Sequence, residues 1–257
     1  MPLAVLPAQL ADIEPVYDVY FKAFKDEPIL QFLYPRGVDR AAHTEGIKQW
    51  WAHDKTGYTI KCLDSSTGKI VGMAGWDVFW RPGKENGWER PEGIPWLEGE
   101  EKARCEGILG AMWDLREKLF GKKHRYIYLS VIAVDPEQQR RGIGRLLMQW
   151  GINIAEQLNL PIYLESSKPG LGLYEAVGFE RLTHVSLVHK EELTGLPDEE
   201  IPLLVKMPSA AKGLSFKEWA DKGYPEGYHT QVNGHKKTNG ITNGTTNGTT
   251  NGTIQHD

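Results

Sequence analysis

The 257-residue chain carries 30 Lys and Arg against 34 Asp and Glu, a formal net charge of −4, and 40% of its residues are hydrophobic. This composition is ordinary for a folded globular protein with a sizeable core. It argues against a dedicated nucleic-acid binder, which would need a concentrated basic surface. Two cysteines, Cys62 and Cys105, cannot make a disulfide framework or a four-cysteine zinc site, and we expect no metal.

The sequence also bears on location. No apolar run reaches the roughly 18 residues that a membrane-spanning helix needs. The N-terminal segment lacks the basic start of a signal peptide, because its first Lys or Arg is Lys22. We therefore expect a protein of the cytoplasm, or of cytoplasm and nucleus, with no membrane partner.

The first half of the chain alternates strand and helix patterns. Residues 3–6 are a candidate short strand, and apolar residues at three- and four-residue steps over 10–24 predict an amphipathic helix. A second helix is predicted over 39–53. Two β-rich runs, 58–63 and 70–78, flank a polar turn and predict a hairpin.

The middle of the chain predicts a parallel crossover. Residues 81–99 form a Pro- and Gly-rich loop of a length that is usually functional or disordered. A helix is predicted over 100–120, and then a β-branched and aromatic strand, buried on both faces, over 126–134. A helix over 141–158 and a strand over 162–165 complete a strand, helix and strand in sequence.

Three further elements are predicted toward the C-terminus: a short helix over 170–177, a strand over 179–189 and a final strand over 201–207.

The chain divides by composition. Residues 1–208 are predicted to form the folded domain and 209–232 a C-terminal extension. Residues 233–257 are rich in Asn, Gly and Thr and have too little apolar surface to offset the entropy of ordering, so we expect a disordered tail.

The strongest chemical signal lies between the strand at 126–134 and its helix, where the chain reads Gln139-Arg140-Arg141-Gly142-Ile143-Gly144 and then Arg145. A helix N-terminus at this point presents unpaired backbone N–H groups and a positive dipole end, which favour a phosphate. The two glycines remove side chains that would hold a phosphate away, and the arginines add positive charge. On these residues alone, a basic helix cap without function is an equally good interpretation. The spacing fits neither a P-loop nor the dinucleotide fingerprint.

This motif resembles the acyl-CoA-binding sequence Gln/Arg-x-x-Gly-x-Gly/Ala of the GNAT family of N-acetyltransferases. The family's downstream sequence Leu-Tyr-x-x-x-Gly-Phe is present in full over 173–179, and its Val-x-Pro is loosely matched over 134–136. The resemblance is strongest over 126–182. It departs at two positions, Ser167 and Gly170, where the family often has Asn and Ala. The cofactor contacts of that Asn are therefore in doubt, and the Ser167 hydroxyl is a candidate cap for the short helix.

The resemblance implies an α/β fold of the mixed α+β kind, with a central twisted mixed β-sheet flanked by helices. It also implies direct transfer of an acetyl group from acetyl-CoA to an amine. A bulge in the central strand would part it from the next strand, so that the pantetheine arm enters between them. The residues that the resemblance assigns to acetyl-CoA are Ile132, Ala133, Val134, Gln139, Arg140, Arg141, Gly142, Ile143, Gly144, Arg145, Ser167 and Tyr174.

Tyr174 occupies the family's general-acid position, where its phenol can protonate the departing thiolate. The alternative is a half-buried helix residue with a satisfied hydroxyl. The general base is less clear, since Glu165, Ser130 and Glu106 are all candidates and each is individually more typical of a structural role. We name Glu165, which ends the strand beside the cofactor.

The acceptor is the least determined part of the prediction. Trp76, Trp80, Trp88 and Trp96 fall in the hairpin and the long loop, and a pocket walled by them would favour a small hydrophobic or aromatic amine. Core packing of some of these residues is the competing interpretation. A protein or peptide amine, a non-catalytic acyl-CoA-binding module, and O-acyl or longer-chain transfer stay open, as does the oligomeric state.

Overall fold

The computed structural model describes residues 2–81 and 85–224. The predicted tail at 233–257 lies outside the described residues. The strands are β1 (Leu3–Pro7), β2 (Gly57–Asp64), β3 (Lys69–Phe79), β4 (Tyr126–Val134), β5 (Ile162–Glu165), β6 (Glu180–Arg181), β7 (Leu187–His189), β8 (Glu199–Ile201) and β9 (Leu203–Lys206). The α-helices are α1 (Ile13–Ala23), α2 (Pro28–Leu33), α3 (Arg40–His53), α4 (Gly99–Phe120), α5 (Ile143–Leu158), α6 (Leu171–Ala176), α7 (Glu191–Thr194) and α8 (Phe216–Asp221).

Seven strands form one mixed sheet in the order β1-β2-β3-β4-β5-β9-β6. Neighbours from β1 to β4 are antiparallel, β4 and β5 are parallel, and β9 is antiparallel to both β5 and β6. The parallel pair is joined through α5, because two parallel strands need a long crossover. The predicted mixed sheet flanked by helices is confirmed.

The sheet separates two apolar cores. On one face, α5 packs Leu147 and Met148 against Ile127 and Leu129 of β4. On the other face, α1 covers one part of the sheet and α4 another. The aromatic side chains on the α4 side include Phe120, Tyr126, Tyr128 and Tyr163. Alternation along β4 therefore sends successive side chains into different cores.

The strand predicted over 179–189 is wrong as a single element. Its start is β6, which pairs with β9 in the main sheet, and its end is β7, which pairs with β8 in a separate two-stranded sheet. The intervening residues Thr183 and His184 are exposed and polar, so they give neither sheet an apolar face to bury. Residues 179–189 contain no Gly or Pro, so no turn signal in the sequence marks this change of sheet.

Two boundaries also differ from the prediction. The helix expected from Arg141 begins at Ile143, because Gly142 adopts a left-handed conformation as its N-cap. The strand β4 is buried on both faces only as far as Leu129, and Ser130 is exposed. Both differences lie at the candidate site.

Residues after 208 pack onto the same core. The side chains of Phe216 and Trp219 in α8 are buried with Phe120, and the Tyr224 hydroxyl donates a hydrogen bond to the Leu119 carbonyl at 2.6 Å. A boundary between domain and extension at residue 208 stays a prediction. Across the two described ranges, no helix is both long enough and apolar enough to span a membrane.

Replacing Trp219 with Ala should lower the free energy of unfolding by about 3–5 kcal/mol, the usual cost of deleting a buried aromatic side chain. Trp80→Ala is the matched control, because Trp80 is 44% exposed and should cost much less. Chemical denaturation of both variants measures the difference. Equal effects would show that α8 does not contribute to the core in solution.

Candidate active site

A β-bulge interrupts the pairing of β4 with β3. Trp76 pairs with Leu129 and Gly75 pairs with Val131, which leaves Ser130 as the extra residue of β4. A Cβ atom at Gly75 would lie 2.8 Å from the Ser130 hydroxyl oxygen. Glycine at position 75 therefore leaves the space that the bulged side chain occupies.

Beyond Tyr128, β4 no longer pairs with its parallel neighbour β5. β4 and β5 pair at Ile127–Ile162 and at Tyr128–Tyr163. From Leu129 onward β4 has no partner in β5, which instead continues beside β9 as far as Glu165. We call this opening the β4–β5 cleft, with residues 129–134 on one side and 164–165 on the other. Its position is the one that the family resemblance implies.

The direction of the peptide groups in β4 follows from one hydrogen bond. The N–H of Asp135 donates to the Val71 carbonyl at 3.0 Å, on the β3 side. Because peptide groups alternate along a strand, those of Ile132 and Val134 point toward the cleft. The side chain of Ala133 is buried in the core beside α1. Two of the three predicted cofactor residues in β4, Ile132 and Val134, can therefore offer backbone groups to an acyl chain, whereas those of Ala133 face β3.

The loop before α5 ends in two left-handed residues. Arg140 has φ of +64° and Gly142, the N-cap of α5, has φ of +80°. A Cβ at Gly142 would have no atom within 4 Å. Glycine is therefore favoured there because of its positive φ, and not because a larger side chain would clash. The first-turn N–H groups of Ile143, Gly144 and Arg145 have no partner within the helix and can receive a phosphate. Ile143 contributes only its N–H, because its side chain is buried.

Gly144 has a packing role besides any approach to phosphate. A Cβ at this position would lie 3.0 Å from a methyl carbon of Leu173 in α6. That distance is tighter than ordinary van der Waals contact. The glycine therefore lets the start of α5 lie directly against α6.

The arginines of the loop differ in environment. Arg141 forms an ion pair with Asp64 at 2.7 Å and also donates a hydrogen bond to the Gln138 side chain. Hydrogen bonds from Ser66 and Arg141 lower the pKa of Asp64 to about 2. Arg141 is thus held to the β2–β3 hairpin. Three other predicted cofactor residues, Gln139, Arg140 and Arg145, are exposed.

Tyr174 lies on α6, and its ring packs beside Phe179 at 5.9 Å between centroids. Burial raises the pKa of its phenol to about 12. A Cβ at Gly170 would lie 3.0 Å from the Tyr174 ring. Glycine, where the family often has Ala, therefore suits the position of this tyrosine.

The expected cap by the Ser167 hydroxyl is wrong. The N-cap of α6 is Gly170, which has no side chain to cap with, and its N–H donates to the Ser167 carbonyl at 3.1 Å. Ser167 itself is exposed. Its hydroxyl is consequently not engaged by α6.

Glu165 stands at the edge of the cleft as a buried carboxylate. Its side chain is 2% exposed, and neither oxygen has a hydrogen-bond partner within the described ranges. Arg116 of α4 lies 4.0 Å away, from Nε to Oε1. Burial raises the pKa of Glu165, while Arg116 and the hydroxyls of Tyr128 and Tyr163 oppose that rise.

The other candidates for the base are placed differently. The Glu106 carboxylate accepts a hydrogen bond from the Ile94 N–H at 3.0 Å and so fixes the long loop before α4. Ser130 is exposed at the bulge, with its hydroxyl over Gly75. Cys62 and Cys105 are buried free thiols.

The expected tryptophan wall is wrong for two of its four members. Trp76 and Trp88 are buried in the two cores. Trp80 and Trp96 are about half exposed, and Trp96 stacks on Tyr34 with ring centroids 5.8 Å apart.

Two other tryptophans line a cavity where α3 meets β2. Its volume is about 160 Å³, and its lining residues are Trp50, Trp51, Asp54, Gly57 and Thr59. A Cβ built at Gly57 would lie 2.2 Å from an Asp54 carboxylate oxygen and 3.5 Å from an oxygen of Asp77. Burial, together with the charge of Asp54, raises the pKa of Asp77 to about 7.

Sequence reasoning missed Arg116, Asp77 and this cavity. One signal for Arg116 was available, because it lies four residues after Met112 and three before Leu119, so the predicted helix places it on the same side as two apolar residues. Asp77 and the cavity depend on residues that come together only in the fold.

Residues 21–179 match the model of the Acetyltransferase (GNAT) family. The match spans more than half of the chain and includes the bulged strand, the loop before α5 and Tyr174. The chain belongs to the GNAT acetyltransferase family, whose members are acyltransferases that use acyl-CoA.

Relatives agree with this assignment. The probable acyltransferase SID5 of Ajellomyces capsulatus is 38% identical over 145 residues, which are 56% of this chain and 99% of that protein. A histone acetyltransferase HPA2 and related acetyltransferase structure from Corynebacterium glutamicum covers 81% of this chain and 97% of its own, at 23% identity and a TM-score of 0.51. A mosquito arylalkylamine N-acetyltransferase like 5b covers 80% and 100%, at 18% identity and a TM-score of 0.53. The two structures show the shared fold.

Replacing Gly142 with Ala should weaken acetyl-CoA binding by about 5- to 30-fold. The reason is that a left-handed conformation costs an L-residue about 1–2 kcal/mol and the loop would leave it. Gly172→Ala on α6 is the matched control, since its added Cβ also meets open space but its φ is not positive. Calorimetric titration of both variants measures the effect. An unchanged Kd for Gly142→Ala would contradict a phosphate site on this loop.

Proposed function

We propose that this protein transfers an acetyl group from acetyl-CoA to the primary amine of a small acceptor with an apolar or aromatic body. The observation that carries the proposal is the buried carboxylate of Glu165, without a hydrogen-bond partner among the described residues, at the edge of the β4–β5 cleft. A carboxylate in this position can take the proton that an ammonium group must lose before it attacks.

The acetyl-CoA would lie along elements already described. Its pyrophosphate fits the N–H groups of Ile143, Gly144 and Arg145, and its pantetheine arm fits the cleft. The Ile132 N–H points into that cleft and can donate to the thioester carbonyl oxygen. The same donor would stabilise the negative charge that forms on this oxygen during attack.

The reaction is a direct substitution at the thioester. The ammonium group first loses one proton to Glu165, directly or through water, and the neutral amine nitrogen then attacks the carbonyl carbon to form the C–N bond. The C–S bond breaks, and the thiolate takes the phenolic proton of Tyr174. The second proton that the nitrogen loses as it becomes an amide passes through water to the tyrosinate and restores the phenol. Because burial raises the pKa of Tyr174 to about 12, the phenol keeps its proton until negative charge develops on sulfur.

The acceptor body has a candidate location on the α1 and α4 side of the sheet. The cavity beside Trp50, Trp51 and Asp54 adjoins β2, which lies two strand spacings, about 10 Å, from β4. Its volume of about 160 Å³ suits a small ring or chain. Indole walls favour apolar or cationic groups, which supports a small amine over a peptide.

An amine panel tests the proposal. Release of CoA from acetyl-CoA would be measured with phenethylamine, tryptamine, spermidine, an alkyl alcohol and a lysine peptide, and repeated with a longer acyl-CoA. We expect the highest kcat/KM for acetyl-CoA with a small aromatic or apolar amine. Preference for the peptide, the alcohol or the longer acyl chain would contradict the proposed acceptor or donor, and no turnover would favour a binding module.

Glu165→Gln should lower kcat/KM by about 10²- to 10⁴-fold, the usual contribution of a general base, because the amide cannot take a proton. Glu106→Gln is the matched control, since its amide oxygen can still accept the hydrogen bond from Ile94. Steady-state kinetics at a pH where the parent is fully active would compare the two. Full activity of Glu165→Gln would remove this residue from the mechanism.

Tyr174→Phe should lower kcat by about 10²- to 10⁴-fold if departure of the thiolate limits the rate, and by less if product release does. The acetyl-CoA Kd should stay near the parent value, because the ring and its packing beside Phe179 are retained. Kinetics at saturating acetyl-CoA and a separate titration distinguish the two quantities. A parental kcat with chemistry rate-limiting would leave water as the proton donor.

A further inference from the structure

We infer that Arg116 of α4 is a positioning residue that keeps Glu165 in its ionised, proton-accepting form. The inference rests on the proposed function, because it concerns the base of that reaction. Arg116 is not expected to touch either substrate. It would act through the side chain that does.

The geometry places the guanidinium between an aromatic ring and the carboxylate. The central carbon of Arg116 lies 4.1 Å from the centroid of the Tyr128 ring, and its Nε lies 4.0 Å from Glu165 Oε1. The side chains of Arg116 and Glu165 are 8% and 2% exposed. Solvent therefore screens their interaction little.

A charged side chain buried on this face of α4 loses its hydration, and the loss destabilises the fold unless a partner compensates for it. The residues on either side of it along the helix, Leu115 and Leu119, are buried in the aromatic core. A buried arginine must be compensated by a partner, and removal of either member of a buried pair leaves an uncompensated charge. Arg116 Nε has no hydrogen-bond partner within the described residues, so its compensation is electrostatic.

The groups that face Glu165 are few and can be named by element. Arg116 comes from α4, Tyr126 and Tyr128 from β4, and Tyr163 from β5; the opposite residue in β9 is Leu203, which does not titrate. Burial by itself would favour the protonated carboxyl. The cation and the hydroxyls of Tyr128 and Tyr163 favour the carboxylate, and Arg116 is the largest of these opposing effects.

Asp77 shares the same cation. Both Glu165 and Asp77 stabilise the charged form of Arg116. Asp77 belongs to β3 and pairs with Tyr128 of the adjacent strand β4. Titration of Asp77 could therefore produce an acid limb in the pH profile that would be mistaken for titration of Glu165. Tyr163 separates them, because it lies two residues before Glu165 on the same face of β5, whereas Asp77 lies in β3.

The test is the pH dependence of kcat/KM for the parent, Arg116→Met and Arg116→Lys, with acetyl-CoA and the best amine of the panel. Loss of the cation should move the acid limb to higher pH. At a fixed pH on that limb, kcat/KM should fall about tenfold for each pH unit by which the limb moves. Arg116→Lys should restore most of the parental profile, because it retains the charge. A purely structural role would lower activity evenly at all pH values, and such a result would overturn the inference.

Tyr163→Phe keeps the inference testable if Arg116→Met does not fold. This change removes one hydroxyl and should move the acid limb in the same direction. An unmoved limb in Tyr163→Phe, together with loss of the limb in Asp77→Asn, would assign it to Asp77 and overturn the inference.

Glu165→Gln separates failure of the inference from failure of the base. If Glu165→Gln is inactive at high pH while Arg116→Met leaves the acid limb of the pH profile unmoved, Glu165 is still the base and only the role inferred for Arg116 is wrong. If Glu165→Gln is fully active, the proposed base falls, and the inference falls with it.

Discussion

The extra residue in β4 is the constraint on which the rest of the site depends. The Ile127 N–H faces β5, and regular alternation through Ser130 would turn the peptide of Val131 to that side. The bulge places Ser130 out of register, so that the peptide of Ile132 faces β5 in its place. The bulge also coincides with the end of pairing between β4 and β5, and it therefore determines which peptide groups face the open strand edge.

The two faces of the sheet have different physical characters. The α5 face is an apolar core in which the Trp76 ring lies against α5. The other face contains the buried side chains of Arg116, Tyr163 and Glu165, with Asp77 nearby. Buried charges of this kind rarely stabilise a fold on balance, because the desolvation cost is large. Groups of buried titratable residues are more frequent at functional sites than elsewhere, which supports the role proposed for Glu165.

Much of the fold could be predicted from the sequence because its elements have local signatures. The hairpin, the apolar helix faces and the Gly142–Gly144 motif could each be recognised within a few residues of sequence. The change of sheet between Arg181 and Leu187 could not, since it depends on pairing with β9 and β8, strands that lie later in the chain. The contact between Arg116 and Glu165 could not be predicted either, because the two residues are 49 positions apart and meet only when α4 packs on the sheet.

The contact between Gly144 and Leu173 has a mechanical consequence. Gly144 belongs to the helix start that would receive the phosphate, and Leu173 immediately precedes Tyr174 in α6. Close-packed interfaces transmit displacement and do not absorb it. A shift of the α5 N-terminus would therefore move α6 as well, and the phenol with it. In the proposed reaction, acetyl-CoA bound at the loop would therefore also fix the position of the Tyr174 phenol, which would protonate the thiolate of that same acetyl-CoA.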